Sequence, residues 1–120
     1  MPRAPRSTTN PAETFPELRY QNRPLEESIA RLGRKWMLLI LRDMAFRRVS
    51  RFNQFLRGNR GLTPRVLSRR LREMESDGLV LKQRSGRSVT YTLTERGNDA
   101  VYIVLAFLRY GLRYHPQPPE

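Results

Sequence analysis

Between Thr63 and Leu93 the apolar residues change their period. In LTPRVLSRRLREMESDG, Leu67, Leu71 and Met74 recur at spacings of four and three, which places them on one face of an α-helix. Thr63 suits the N-cap, Pro64 the first helical position and Gly78 the close. Directly after Gly78, LVLKQ and SVTYTL flank RSGRS. Val80, Val89, Tyr91 and Leu93 there fit alternating strands, with a glycine-bearing hairpin turn between them. A helix delivered straight into a two-stranded hairpin leaves a short chain few architectures.

The segment before that helix narrows the choice. RFNQFLRG reads as a helix capped by Ser50, with Phe52, Phe55 and Leu56 inward and Gly58 or Gly61 ending it. Two helices across a short glycine-containing turn form a helix-turn-helix. Further upstream, Pro24 suits a helix start, and Leu25, Ile29 and Leu32 form a stripe that stops at Gly33. A second helix is expected from about Lys35 to Ala45. Its WMLLIL run is nearly all apolar, so it belongs at the centre of the core with Trp36 packed there too. After the hairpin, Thr94 caps a last helix, TERGNDAVYIVLAFLRYGLRY. Glu95 does not complete an S/T-x-x-E capping box, so the cap rests on Thr94 alone.

The fold class is therefore mostly α with a small β-wing: a winged helix-turn-helix with added N- and C-terminal helices. Residues 1–22, with prolines at 2, 5, 11 and 16, read as a flexible arm. Residues 23–114 read as the domain with its dimerisation helices, and 115–120 as a tail. Arg3 and Arg6 would reach a minor groove, as arms of some DNA-binding domains do, although a solvated arm is the plainer reading.

Charge points to a partner. The chain of 120 residues carries 23 Lys and Arg against 11 Asp and Glu, a formal +12. Polyanions are attracted to such a surface, with strong salt dependence. Between Arg42 and Arg87 there are 13 basic and four acidic residues, leaving only +3 for the rest. Only Lys35 and Lys82 are lysine. Arginine-favouring codons account for part of that bias but not for the net charge. Arginine binds phosphate and guanine bidentately where lysine does not.

Other chemistries are poorly served. There is no cysteine, so disulfides, thiol redox sensing and Cys-ligated zinc are excluded. His115, the one histidine, lies in a proline-rich tail, which argues against a His-based catalytic or metal site. No metal or cofactor is expected. No carboxylate pair, nucleophile–base pair or phosphate loop stands in supporting context, so an enzyme is not expected. WMLLIL and AVYIVLAFL are too short to span a membrane, and no apolar signal segment opens the chain, so a cytoplasmic, nucleoid-associated protein is expected.

On the helix from about 63 to 77, Arg65, Arg69 and Arg72 share the face opposite the apolar stripe, with Ser68 beside them. The second helix of a helix-turn-helix enters the major groove with its N-terminal residues nearest the bases. Thr63, Pro64, Arg65, Ser68 and Arg69 occupy that part. Arg65 or Arg69 suits a bidentate contact to guanine, and Arg72 a phosphate. Arg70 falls nearer the core edge and suits a partner such as Asp77 or another acid. Ser50 and Arg51, with Arg47 or Arg48 before them, suit backbone phosphates. The wing at 84–88, with Arg84, Ser85 and Arg87, suits the minor groove or its phosphates. A merely solvated charged face is the plain alternative. Against it stand the scarcity of acids on that face, the matching first helix and the basic wing tip.

In the last helix Val101, Val104, Leu105, Leu108 and Leu112 form a stripe, and Tyr102, Ile103 and Phe107 spread apolar surface around the rest. A second apolar face suggests a partner. With Leu25 and Ile29 of the first helix it fits a homodimer presenting two reading heads to half-sites about 34 Å apart. The alternative is that both helices complete the monomer's core.

LGRKWMLLILRDM (32–44), RFNQFLRGNRGLTPRVLSRRLREMESDGLV (51–80) and YTLTERG (91–97) together resemble the HxlR-type winged-helix transcriptional regulators, relatives of the MarR regulators. The resemblance covers about residues 24 to 113. It implies a homodimeric, double-stranded DNA-binding regulator of transcription. Thr63, Pro64, Arg65, Ser68 and Arg69 fall on the family's recognition-helix start, and Arg84 and Arg87 on its wing. Many members carry a cysteine just before the proline that opens the first helix, and here that position is Arg23. A small-molecule effector bound non-covalently, a partner protein, or no signal at all remain as alternatives. A nonspecific, chromatin-like DNA- or RNA-binding protein is the alternative function.

Overall fold

The computed structural model describes residues 10–119, so Arg3 and Arg6 lie outside the described residues. A single 3-10 turn, Pro11–Glu13, sits in the segment expected to be an arm. Then follow helices α1 (Asn22–Leu32), α2 (Met37–Phe46), α3 (Phe52–Gly58) and α4 (Pro64–Ser76), strands β1 (Val80–Ser85) and β2 (Ser88–Leu93), and helix α5 (Glu95–Tyr114). This is the expected winged helix-turn-helix with a helix added at each end. Within the described residues no helix is long and apolar enough to cross a membrane.

The core forms where the periodicities converge. Met37, Ile40 and Leu41 of α2 are fully buried with Phe55 of α3, Leu67 and Met74 of α4 and Val80 of β1. Leu71, Leu79, Tyr91 and Ala100 close the cluster. The apolar stripe expected on α4 is thus its buried face. α2 is central, as its WMLLIL run requires, but Leu39 points outward.

Four local expectations need correction. α1 starts at Asn22 rather than at Pro24, whose missing N–H costs nothing within a first turn. α2 starts at Met37 rather than Lys35, because Trp36 has φ +78° and breaks the helix. Its indole is half-buried at the edge of the core, close against Gly61, rather than at the core's centre. Ser50 is not the cap of α3. Arg51 holds that position, and the Gln54 side chain reaches back to accept the backbone N–H groups of Ser50 and Arg51 at 3.2 Å each. Ser50 instead offers its carbonyl to the Tyr91 N–H at 2.8 Å, stitching the start of α3 to the wing. Arg70 pairs with Glu73, the other acid that the reading allowed in place of Asp77.

The other caps match the reading. Thr63 Oγ1 accepts the Val66 N–H at 3.2 Å, and Thr94 Oγ1 accepts the Gly97 N–H at 3.0 Å. The strands pair antiparallel from Val80↔Leu93 to Ser85↔Ser88 around a two-residue turn. Gly86 takes φ +61° there, which suits the first central position of a type II′ hairpin. Gly97 is required for a different reason. A Cβ at that position would stand 2.1 Å from the Leu79 carbonyl oxygen, so only glycine lets the first turn of α5 lie on the entry to β1.

Candidate nucleic-acid interface

Which cations remain available to a partner is decided by where the acids go. Asp43, in the middle of α2, is completely buried. Arg42 donates to its Oδ1 at 3.0 Å through Nε, and Asn59 Nδ2 donates to its Oδ2 at 2.6 Å. Asn59, itself buried, also donates to the Phe55 carbonyl at 2.9 Å and accepts from Arg42 at 2.9 Å. Arg47 stands 3.7 Å from Asp43. This network pins the end of α3, and so the turn that leads into α4, to the central helix. It engages Arg42, one of the 13 basic residues counted above, with Asp43 and Asn59 inside the fold.

The next acids are spent on α4's own inner edge. Arg70 donates through Nε to the Lys35 carbonyl at 2.7 Å and through its terminal nitrogen to Glu73 at 2.8 Å. Arg34 lies 3.4 Å from Glu73, and Arg31 2.6 Å from Asp77. Among the described residues no carboxylate comes within 4 Å of Arg65, Arg69 or Arg72, and all three are exposed. Uncompensated charge therefore concentrates on one face of α4. Thr63 and Pro64 stand exposed at its start, and Ser68 is half-buried. Arg69 and Arg72 border a shallow depression of about 320 Å³ that Arg31 and Arg34 also line.

The remaining candidates sit on neighbouring elements. Arg51 is exposed at the start of α3, whereas Ser50 is half-buried and its backbone is engaged by Gln54 and Tyr91. Arg84, Ser85 and Arg87 are exposed at the tip of the hairpin. Beneath it, burial and then the Glu75 carboxylate push the Tyr91 phenol above its ordinary 10.0, with Arg84 pulling the other way. Arg48 adopts φ +55° between α2 and α3.

Sequence reasoning missed the Asp43–Asn59 pair. The available signal was a lone carboxylate inside a nearly apolar helix, since a charge placed there is seldom buried without a partner. The sequence reading grouped Val101 and Val104 with the α5 stripe assigned to a dimer, with completion of the monomer's core as the alternative. Both are half-buried, and Val104 packs against the monomer's own core. Leu105, Leu108 and Leu112 are exposed, as are Leu25 and Ile29 on α1.

Comparison with known proteins follows the same lines. The pattern of the HxlR-like helix-turn-helix family matches residues 31–118. The uncharacterized HTH-type transcriptional regulator YdzF of Bacillus subtilis is 25% identical over 97 residues, covering 78% of this chain and 89% of its own length. The uncharacterized HTH-type transcriptional regulator Mb3122 of Mycobacterium bovis is 34% identical over 103 residues, covering 83% of this chain. The match spans 64% of that relative's length. Among solved structures, the redox regulator HypR in its reduced form superposes with a TM-score of 0.67 at 33% identity, over 76% of this chain and 94% of that one. PA1607 superposes with a TM-score of 0.70 at 30% identity, over 81% and 68%. The chain belongs to the HxlR-like helix-turn-helix family and is a DNA-binding regulator of transcription.

Proposed function

We propose that the protein recognises specific operator sequences as a homodimer, with the start of α4 in the major groove and the wing on the minor groove or its phosphates. The observation that carries this reading is the row of three exposed arginines on α4, unpaired among the described residues, beside a core edge where Glu73 and Asp77 already have partners. Arg65 and Arg69 lie on the entering half of the helix, where base edges are read. Arg72 lies further along and suits a phosphate, as do Arg51, Arg84 and Arg87. Such a protein acts on chromosomal DNA in the cytoplasm, by binding rather than by catalysis. With no cysteine in the chain, any signal reaches it through a non-covalent effector or a protein partner.

The dimer is supported by bare apolar surface on the two terminal helices. α1 buries no residue and α5 buries only Gly97 and Ala100, so most of their apolar surface stays outside the monomer's core. Ile29 is 61% exposed and Leu112 63% exposed. Between α2 and α5 runs a mostly apolar groove of about 710 Å³, whose lining includes Leu39, Phe46, Phe107, Leu108 and Leu112.

Selecting bound duplexes from a random DNA pool tests the reading, and a palindromic site is the expected result. On that site Arg65→Ala or Arg69→Ala is expected to cost about 1–3 kcal/mol and to relax base preference at one position. Equal weakening on all sequences would mark the arginine as a phosphate contact. Absence of any enriched site at fixed salt would favour the nonspecific reading, because phosphate contacts alone carry no sequence preference.

A further inference from the structure

One polar corner joins both terminal helices to the recognition helix. Asp77 is the C-cap of α4, and its side chain is only 9% exposed. Arg31, from the last turn of α1, donates to its Oδ1 at 2.6 Å. Arg34, in the turn after α1, stands 3.7 Å from its Oδ2, an atom that is buried with no hydrogen-bond partner among the described residues. One turn earlier Glu73 takes Arg34 at 3.4 Å. Immediately after Asp77, the Gly78 carbonyl accepts the Thr94 hydroxyl at 2.5 Å, and the Leu79 carbonyl accepts the Thr94 N–H at 3.0 Å. α1 is thus tied to the end of α4 at Asp77, and α5 within the next two residues.

The tie to α1 is chiefly polar. α1 has no buried residue, and Leu32 at its last position is its half-buried contribution to the core. Its angle to α4 is therefore set largely by the Arg31 and Arg34 contacts. The lever is long enough to matter. α4 has 13 residues, so at 1.5 Å per residue its reading end lies about 20 Å from this corner. A rotation of about 10° there moves that end by about 3.5 Å, close to the roughly 3.4 Å rise of one base pair.

We infer that Asp77 is a positioning residue: by clamping Arg31 and Arg34 it fixes the angle between the dimer helix α1 and the recognition helix, and so sets the half-site spacing the protein accepts. This rests on the dimeric reading above. Removing the charge leaves two guanidinium groups facing a neutral amide at a site that is already short of one donor, so the angle loosens while the α4 surface that touches bases is unchanged.

The test uses the selected operator with its two half-sites moved apart or together one base pair at a time, and a duplex carrying a single half-site. The full chain is compared with Asp77→Asn and with Arg31→Gln, whose half-exposed side chain makes misfolding a lesser concern. Both variants are expected to remain dimeric and to bind the single half-site within about twofold of the parent. Their preference for the selected spacing over its neighbours is expected to fall about fivefold or more. The charge-reversed pair, Arg31→Asp with Asp77→Arg, is expected to recover part of that preference. A dimeric parent whose spacing preference survives both substitutions overturns the inference alone. A uniform loss on every duplex overturns it too, since that marks a structural role only. A monomeric parent indifferent to spacing overturns the dimeric reading and the inference together.

Discussion

Arg69 and Arg70 are neighbours in sequence with opposite fates. Arg70 is drawn into the fold by the Lys35 carbonyl and Glu73, while Arg69 is exposed and unpaired among the described residues. The helical period separates them by about 100°, and that rotation decides which one is available to DNA. Asp43 shows the same economy in the other direction. It is a buried charge, tolerable because Arg42 and Asn59 supply donors at 2.6–3.0 Å. Asp43→Ala would strand the Asn59 amide and one guanidinium, and is expected to lower unfolding free energy by roughly 2–4 kcal/mol in denaturant titration. A loss below about 1 kcal/mol would show that solvent readily replaces the network. In the folded fraction DNA affinity should fall as well, because the α3–α4 turn would no longer be anchored to α2.

At the scale of elements, the reading head is held from two sides. Asn59 fixes the end of α3, and the Ser50 carbonyl bonds to Tyr91 on β2, so the hairpin braces the start of α3 as well as presenting its own arginines. Tyr91 adds a pH dependence whose sign can be worked out. Its phenol is harder to ionise in the folded chain than in the unfolded one. Above pH about 10 the unfolded state loses this proton first, and stability falls as pH rises towards the folded value. Below that range the group contributes no slope. Parent and Tyr91→Phe are therefore expected to show parallel stability between pH 6 and about 9 and to diverge above about 10, with the parent falling faster. Parallel curves throughout would mean that the buried phenol ionises as easily as an exposed one. The same elements show what local sequence can carry. Thr63, Pro64, Thr94 and the Gly86 turn were legible because caps and tight turns depend on residues two or three apart. The Ser50 cap misled because Gln54, a residue later in the same helix, competes for that end. The Trp36 break was unreadable, since a left-handed aromatic residue has no local signal.

At the scale of the whole molecule, extents of 57 × 42 × 21 Å describe a flat, elongated body whose terminal helices carry unburied apolar surface. An isolated monomer with so much bare hydrophobic area is a poor end state in water. Leu108→Asp is accordingly expected to halve the mass measured by sedimentation and to weaken operator binding by at least tenfold, because two linked half-sites no longer bind together. An unchanged mass would place the interface elsewhere.

The residues by themselves determined the order of elements, the wing, the inward face of α4 and the arginine stripe opposite it. These follow from hydrophobic period and nearest-neighbour chemistry, which act within a turn or two of chain. Only the tertiary structure decided which arginines are spent inside the fold. Arg31 meets Asp77 across 46 positions, Arg70 meets Lys35 across 35, and Arg42 meets Asn59 across 17. Such pairing depends on distance in space, and no local pattern encodes which distant acceptor will arrive beside which arginine once the core has closed.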